Sequence, residues 1–350
     1  MEKVKKITGY RLFLPLSCLL IVLLINLITT PTFFKISITN GVLYGYIIDV
    51  INRASELVVL AVGMTLVVSA SAGTDISVGA VMAVAAAVCT RVLAGGEVSV
   101  NEYANPYVLA VLAALAAAVV CGGFNGFLVA KLKIQPMVAT LILFTAGRGI
   151  SQLVTNGQIT YIRVDGYKLL GNNIPGIPIP TPIFVAVIVV VLTYILLKKT
   201  AMGMYIQSVG INERASRLVG LKSVKIIWMA YAFCGLCAGI AGLVASSRIY
   251  SADANNIGLN MELDAIAAVA LGGNSLGGGR FSLLGSVIGA YTIQALTTTL
   301  YAMSVPADQI PVYKAIVVIL IVAVQSEELK KFRKRLASRH SSKNVEGGVA

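Results

Sequence analysis

The stretch Ser69-Ala70-Ser71-Ala72-Gly73-Thr74-Asp75-Ile76-Ser77-Val78-Gly79 places polar residues and one carboxylate between two long apolar runs. An acidic side chain between runs long enough to cross a bilayer is costly there, so its default interpretation is a site that something polar visits. The glycines permit sharp bends, and the polar side chains can cap the helix that follows. Two interpretations of Asp75 remain open, a buried helix cap and a proton or cation site. The residues expected to line a solute pathway here are Gly73, Thr74, Asp75, Ser77 and Gly79.

The composition describes a polytopic helical membrane protein. Of the 350 residues, 57% are hydrophobic and only 12% are charged, and the mean hydropathy is +0.85. The net charge of +13 does not indicate nucleic-acid binding, because the cations lie in short clusters between apolar runs. Five cysteines in apolar runs give no disulfide framework, and the only histidine is His340. We therefore expect no cofactor, no metal site and no nucleic-acid partner.

Apolar segments of roughly 20 residues predict ten membrane spans. Their approximate bounds are 12–30, 47–70, 76–94, 107–130, 135–154, 181–199, 222–247, 262–273, 281–301 and 312–326. The clustered Lys and Arg residues place both termini in the cytoplasm, which requires an even number of crossings. We expect a single transmembrane domain over 1–350, with a cytoplasmic N-terminus at 1–11, a membrane bundle at 12–326 and a basic cytoplasmic tail at 327–350 beside anionic membrane lipid.

The spans fall into two blocks of four, the second to fifth and the seventh to tenth, with opposite orientation. Each block holds a polar interruption, at 73–79 in the first and at 253–264 and 272–280 in the second. Inverted repeats with interrupted helices near the midplane are a common architecture of transporters. The predicted fold class is therefore an all-α polytopic membrane protein with about ten transmembrane helices in inverted four-helix repeats.

Four further residues are candidates for the solute pathway. Glu262 and Asp264 begin the short eighth span, where they either complement the helix dipole or lie at the outer mouth. Arg148 falls toward the outer end of the fifth span, and both snorkelling to the interface and a pore role remain open. Asn274 lies in the glycine-rich segment 271–280, which lacks the lysine of a phosphate-binding loop and is interpreted as a flexible helix breaker facing the cytoplasm.

The cytoplasmic loop 200–222 holds a polar segment with the signals of a short amphipathic helix. Asn212 can cap this helix and Gly220 can end it. Lying on the membrane surface and binding a soluble partner are both compatible with such a helix. Its charged side carries Glu213, Arg214 and Arg217, and its apolar side carries Ala215, Leu218 and Val219.

Four of these segments resemble, in the same order, the permease subunits of bacterial ABC importers for monosaccharides, the ribose, galactose and galactofuranose permease family. Residues 73–79 resemble its G-[GT]-x-D-[LI]-S-x-G motif, and residues 210–220 resemble its G-x-N-x-x-A-[AST]-[RK]-x-x-G segment. Residues 262–268 are similar to its E-L-D-A-I-A-A stretch, and residues 272–279 to its glycine-rich break.

This resemblance implies an importer permease of the bacterial inner membrane that moves a simple sugar by alternating access. It implies three kinds of partner: ATP-binding-cassette ATPase subunits, a periplasmic or lipoprotein sugar-binding protein, and a second permease chain in a homodimer or heterodimer. ATP hydrolysis would then occur on a partner, and this chain would not be an enzyme. The loop helix would be the coupling helix seated in the ATPase, through Asn212, Glu213, Arg214, Ala215, Arg217 and Gly220.

An ion-coupled secondary transporter or a channel for a small polar solute is the alternative function. Such a protein is expected to show paired intramembrane acids or a relay of His and Arg residues. Asp75 stands alone within its block. The sequence therefore favours the importer permease over the ion-coupled class.

Overall fold

The computed structural model describes residues 12–39 and 41–325. The predicted cytoplasmic N-terminus at 1–11 and the basic, lipid-contacting tail at 327–350 lie outside the described residues. The described chain forms twelve α-helices: α1 Phe13–Thr29, α2 Tyr46–Ser71, α3 Val78–Ala94, α4 Tyr107–Ala130, α5 Pro136–Val154, α6 Thr181–Lys199, α7 Met202–Ile211, α8 Glu213–Leu218, α9 Ser223–Ile249, α10 Met261–Leu271, α11 Leu283–Ala302 and α12 Ile310–Gln325. Two 3₁₀ turns cover Pro31–Phe34 and Tyr167–Leu170.

Ten of these helices coincide with the ten predicted spans. Six of them, α2, α4, α5, α6, α9 and α11, are long and apolar enough to cross a membrane. Helices α1, α3 and α12 are apolar but shorter, and α10 has 11 residues. The prediction of an all-α polytopic membrane protein is confirmed. The two remaining helices, α7 and α8, lie in the loop 200–222.

Helices α2 and α9 form the centre of the bundle. Within their apolar spans 89% of α2 and 72% of α9 is buried, against 22% of α6. The two helices pack along each other, and an ion pair between Arg248 Nε and Glu56 Oε1 at 3.0 Å joins them. Each ends at a residue in the left-handed conformation, Ala72 after α2 (φ 53°) and Tyr250 after α9 (φ 57°). Both central helices therefore stop in the same way, directly before a polar interruption.

The packing of the other helices follows the two predicted blocks. Helix α9 opens the second block and packs against α3 and α4 of the first. Helix α2 opens the first block and packs against α10 and α11 of the second. Within the blocks, α3 packs against α4 and α5, while α10 packs against α11 and α12. This reciprocal exchange is the arrangement expected of inverted repeats.

Glycines set the distance between α4 and α9. A Cβ atom built on Gly235 would lie 2.9 Å from the Cα atom of Gly122 and 2.4 Å from the carbonyl oxygen of Ala118. Small residues allow membrane helices to approach to this distance, where dispersion forces between the backbones hold them together. The contact fixes α9 against the first block.

Five short strands, none of which the sequence predicted, lie in the described loops. β1 Ser37–Thr39 pairs antiparallel with β2 Val42–Tyr44. β4 Thr160–Ile162 pairs parallel with β3 Ser99–Val100 and antiparallel with β5 Ser251–Ala252. Strands of two or three residues have too few positions for an alternation of polar and apolar side chains to be recognised. The second sheet ties together the ends of α3, α5 and α9.

We expect Gly235→Ala to lower the thermal stability of the detergent-solubilised protein, because the new methyl group would overlap the backbone of α4. Overpacking of this kind costs about 1–3 kcal/mol. Melting followed by size-exclusion chromatography measures the loss. Gly149→Ala is the matched control, since no atom lies within 4 Å of a Cβ built on Gly149 in α5. Equal destabilisation by both substitutions would contradict the role of the glycine contact.

Candidate functional site

The turn between α2 and α3 is organised by the buried side chain of Asp75, which is 2% exposed. Its Oδ1 atom accepts hydrogen bonds from the backbone N–H of Ser77 at 2.9 Å and from the Ser77 hydroxyl at 2.6 Å. Asn125 of α4 donates to the Ser77 hydroxyl oxygen at 2.8 Å, and Thr140 of α5 accepts from the N–H of Ile76 at 3.2 Å. The carboxylate therefore accepts from Ser77, the N-cap residue of α3, whose own side chain makes no capping hydrogen bond.

The second interruption, between α9 and α10, is held by Arg148. Its Nη1 atom donates to the carbonyl oxygens of Ala254 at 2.9 Å and Ile257 at 2.5 Å. The side chain therefore points toward the interrupted segment, where it supplies a donor to two backbone carbonyl groups. Glu262 follows in the first turn of α10 and is 3% exposed. This burial shows that the chain turns back into the bundle before α10 begins, and the expected position of Glu262 at an outer mouth stays a prediction.

The two interruptions meet at the first turns of α3 and α10. A Cβ atom on Gly79 would lie 2.1 Å from Glu262 Oε2 and 2.2 Å from the carbonyl oxygen of Gly258. Only a glycine leaves room for this approach. The positive ends of two helix dipoles converge here beside a buried carboxylate, an arrangement that favours negative charge. Glu262 Oε2 and Arg148 Nη2 are both buried and have no hydrogen-bond partner among the described residues.

Asp264 lies on another side of α10, away from this junction. Both of its carboxylate oxygens accept hydrogen bonds from Lys314 Nζ of α12, at 2.8 and 2.6 Å. The pair is only partly exposed, with 26% of the Asp264 side chain and 16% of the Lys314 side chain accessible. The predicted pathway residues therefore divide between the junction of α3 with α10 and a separate pair on α10 and α12.

Hydrogen bonds of Asn274 hold the glycine-rich segment after α10 at both ends, and the expectation that this segment is a flexible helix breaker stays a prediction. The buried side chain of Asn274 donates to the Val269 carbonyl at 3.0 Å and to the Ser286 hydroxyl oxygen at 2.8 Å. Its Oδ1 atom accepts from the N–H of Ser282 at 2.5 Å. Thr65 of α2 donates to the same Ser286 hydroxyl oxygen at 2.6 Å. Asn274 thus joins α10 to α11 directly, and it is linked to α2 through the shared Ser286 hydroxyl group.

The predicted short helix in the loop 200–222 is α8. Asn212 Oδ1 accepts from the N–H of Ala215 at 2.9 Å, so Asn212 is its N-cap, and Gly220 follows the helix with φ 87°. Leu218 is 89% exposed and Val219 is 77% exposed. Arg214, Ala215 and Arg217 are exposed as well, whereas Ser216 is buried. The apolar side of α8 therefore faces away from the bundle.

Glu213 fixes α8 to the loop between α4 and α5. Its Oε1 atom accepts hydrogen bonds from Lys133 of that loop and from Arg217 one turn along α8. Partial burial of the Glu213 carboxyl raises its pKa, but these two cationic hydrogen bonds outweigh that effect and hold the pKa below its ordinary value of 4.5. Glu213 is therefore ionised at neutral pH.

Helix α7 carries α8 and contacts the end of α2 at backbone distance. A Cβ atom on Gly210 would lie 1.7 Å from the carbonyl oxygen of Ser69 and 2.7 Å from the backbone nitrogen of Gly279. The N–H of Gly279 in turn donates to the same Ser69 carbonyl at 3.0 Å. The loop 200–222 and the glycine-rich segment therefore both contact the end of α2 at Ser69, six residues before Asp75.

Sequence reasoning missed the polar partners that come from distant helices. Glu56 and Arg248 are 192 residues apart, and Asp264 and Lys314 are 50 residues apart. Asn125 and Thr140 were hidden within apolar runs. An isolated polar residue in a membrane span is a weak signal of such a partner. Which residue the partner is depends on how the helices pack against each other.

An apolar bundle with interrupted helices, a polar junction between them and a loop helix with an exposed apolar side are typical of a multi-pass membrane permease. A family described as the permease component of the branched-chain amino acid transport system matches residues 46–325. The chain belongs to this family. No solved structure gives a significant match.

Several similar proteins are permeases of sugar transporters. The galactofuranose transporter permease protein YtfT of Escherichia coli K12 is 44% identical, over 93% of this chain and 92% of the relative. The fructose import permease protein FruF of Bifidobacterium longum is 36% identical, over 99% and 96%. The ribose import permease protein RbsC of Escherichia coli K12 is 34% identical, over 89% and 93%. The predicted resemblance to the permeases of monosaccharide importers is confirmed.

We expect Asp75→Ala to be more harmful than Asp75→Asn. Asparagine keeps an oxygen that can accept the two hydrogen bonds from Ser77, whereas alanine removes it, and loss of a cap costs about 1 kcal/mol, with a further cost for the buried donors left unpaired. Folded yield and melting temperature in detergent measure the difference. If Asp75→Asn were as damaging as Asp75→Ala, the charge itself, and not the acceptor oxygen, would be what the site requires.

Proposed function

We propose that this chain is the membrane-spanning subunit of an ATP-driven importer that moves a simple sugar across the inner membrane. The observation that carries the proposal is the exposed α8, with Leu218 and Val219 accessible, on a loop whose preceding helix α7 contacts the end of α2. Membership of the permease family and the sugar transporters among its relatives support the same function. They do not favour the ion-coupled alternative.

Helix α8 is the element through which a separate ATPase subunit would act. An exposed leucine and valine on a cytoplasmic helix form a small apolar surface suited to a groove in a soluble partner. Asn212 caps this helix, and Glu213 pairs with Arg217 one turn along it. The other coupling residues are Arg214 and Ala215 on the helix and Gly220 directly after it. ATP hydrolysis takes place on the partner, and this chain converts the movement of α8 into transport.

The contacts of the loop offer two routes for that movement. The first passes from α7 through Gly210 to Ser69 at the end of α2, and so to the Asp75 turn. The second passes from Glu213 to Lys133 and into α5, which begins three residues later at Pro136. Pro136 in turn packs against Gly73, where a Cβ atom would lie 2.4 Å from the proline Cβ. Both routes end at the first interruption.

The pathway residues follow from this geometry. Gly73, Thr74, Asp75, Ser77 and Gly79 with Glu262 and Arg148 form or adjoin the junction of α3 and α10, whose opening and closing would give alternating access. Asn274 connects the junction to the cytoplasmic end. Both termini lie in the cytoplasm, a periplasmic or lipoprotein sugar-binding protein delivers the sugar from outside, and a second permease chain completes the pathway.

Reconstitution in liposomes tests the proposal. The chain is combined with its ATPase and binding-protein subunits, and uptake of radiolabelled ribose, fructose and galactose is measured with ATP inside the liposomes. We expect uptake of at least one sugar that needs ATP and the binding protein. Uptake by this chain alone, driven by a proton or sodium gradient, would reject the importer function.

We expect Leu218→Asp to weaken attachment of the ATPase. A charge placed in the centre of an apolar interface costs roughly 2 kcal/mol or more, a factor of about thirty in affinity. Co-purification and titration of the ATPase onto the permease measure the effect. Val98→Asp, at an exposed valine of the outer loop, is the control and should bind as the unmodified chain does. Normal attachment of Leu218→Asp would show that α8 is not the contact.

The Glu213 ion pairs give a second test through pH. Because the folded-state pKa of Glu213 lies below 4.5, its stabilising contribution is complete above that pH and is lost only as pH falls through the lower folded value. ATPase attachment by the unmodified chain should therefore not change through Glu213 between about pH 6 and pH 8. Glu213→Gln should weaken attachment equally across that range. A defect in Glu213→Gln that appears only at the acidic end would contradict this assignment.

A further inference from the structure

A groove of about 380 Å³ opens between α10, α11 and α12. Polar and aromatic side chains line it together with apolar ones: Asn260, Asp264, Thr297, Tyr301 and Lys314 beside Leu259, Leu263, Ile310 and Val318. It lies in the half of the bundle where α11 ends and α12 begins. Helix α2 starts in the same half, because Val50 near its start packs with Phe33 and with Ala295 near the end of α11. In the proposed orientation this is the outer half.

The ion pair in this groove is difficult to reconcile with lipid. Charged side chains at bilayer depth are costly unless they face a bundle interior or a water-filled cavity. Asp264 and Lys314 retain 26% and 16% of their side-chain exposure, so they are not enclosed by their own bundle. At bilayer depth such a pair is accommodated by water, by a polar molecule or by the second permease chain of the proposed importer.

The groove also has unused capacity for hydrogen bonds. Among the described residues, Lys314 Nζ bonds only to the Asp264 carboxylate, and the Asp264 oxygens accept only from Lys314. The side-chain amide of Asn260 and the hydroxyl of Tyr301 make no hydrogen bond to the described residues, and Tyr301 is 54% exposed. Donors, acceptors and an aromatic ring thus share one cavity. Its volume lies within the range of small-molecule sites, which combine apolar and aromatic walls with a few polar groups.

We infer that this groove is a binding subsite for a polyhydroxylated small molecule, a monosaccharide in the first instance, with the Asp264–Lys314 pair as its polar centre. The inference rests on the proposed function and extends it, because it names where the chain itself holds the solute. A carboxylate and an ammonium side by side can accept from and donate to adjacent hydroxyl groups. The Tyr301 ring and Leu263 would cover the less polar face of the sugar.

Cysteine labelling in the complete importer tests whether the groove is wet and whether sugar fills it. Ala267 lines the groove on α10, and Ala267→Cys is treated with a charged, membrane-impermeant methanethiosulfonate reagent, first without sugar and then with saturating ribose, fructose or galactose. We expect labelling without sugar and slower labelling with the sugar that the importer transports. The described native cysteines are buried or half-buried, and the unmodified chain measures their background.

Two matched substitutions are the controls. Ala116→Cys is at an exposed position of α4 within an apolar span, where lipid should block the reagent. Ala104→Cys is on the outer loop and should react whether or not sugar is present. If Ala267→Cys did not react, or if none of the transported sugars slowed its reaction, the subsite would be rejected. Absence of sugar uptake by the unmodified importer would instead reject the proposed function.

A charge exchange separates a solute contact from a purely structural ion pair. Lys314→Gln should reduce uptake at least about tenfold, the loss expected when one polar contact is removed. The double substitution Asp264→Lys with Lys314→Asp restores opposite charges and should restore folded yield, but it exchanges the positions of donor and acceptor and should not restore uptake. Full recovery of uptake by the double variant would show that the pair only supports the fold.

Discussion

The structure depends on satisfying the backbone polar groups of interrupted helices in a place that water does not freely reach. Each break in a membrane helix leaves N–H and C=O groups without intrahelical partners, and in apolar surroundings each unpaired group costs several kcal/mol. Three side chains meet this demand: Asp75 at the start of α3, Arg148 on the segment before α10, and Asn274 after it. These three polar side chains are therefore partners for the backbone.

The same three side chains explain how a local movement can reach distant parts of the bundle. Each one joins different helices and bonds to a segment of irregular backbone, which can change its dihedral angles more easily than a helix can. Helix α7, which carries α8, contacts the end of α2 close to the first of these segments. Irregular backbone at membrane depth is found where it is enclosed by protein or lines a cavity, and here it lies along the route between the cytoplasmic helix and the centre.

The sequence predicted what depends on local pattern. The ten apolar runs, the cap at Asn212 and the turn after Ser71 each follow from a few consecutive residues, and each is present in the structure. Contacts across the bundle could not be predicted in this way. The contacts of Arg148 with the interrupted segment, the Asp264–Lys314 pair and the burial of Glu262 depend on how helices far apart in the chain pack against each other. The short strands were not predicted because two or three residues are too few to show an alternation of polar and apolar side chains.

The Glu56–Arg248 ion pair between the central helices also bears on how the protein is made. The ribosome delivers α2 to the membrane long before α9, and 192 residues separate the two charged side chains. At ordinary rates of synthesis this interval lasts roughly 10 to 40 seconds. During that time the Glu56 carboxylate has Arg53, one turn earlier on α2, as its nearby cation. The start of α2 must then stay near the aqueous surface or in contact with the insertion machinery. The ion pair between α2 and α9 therefore forms late in the biogenesis of this bundle, once Arg248 has been synthesised and inserted.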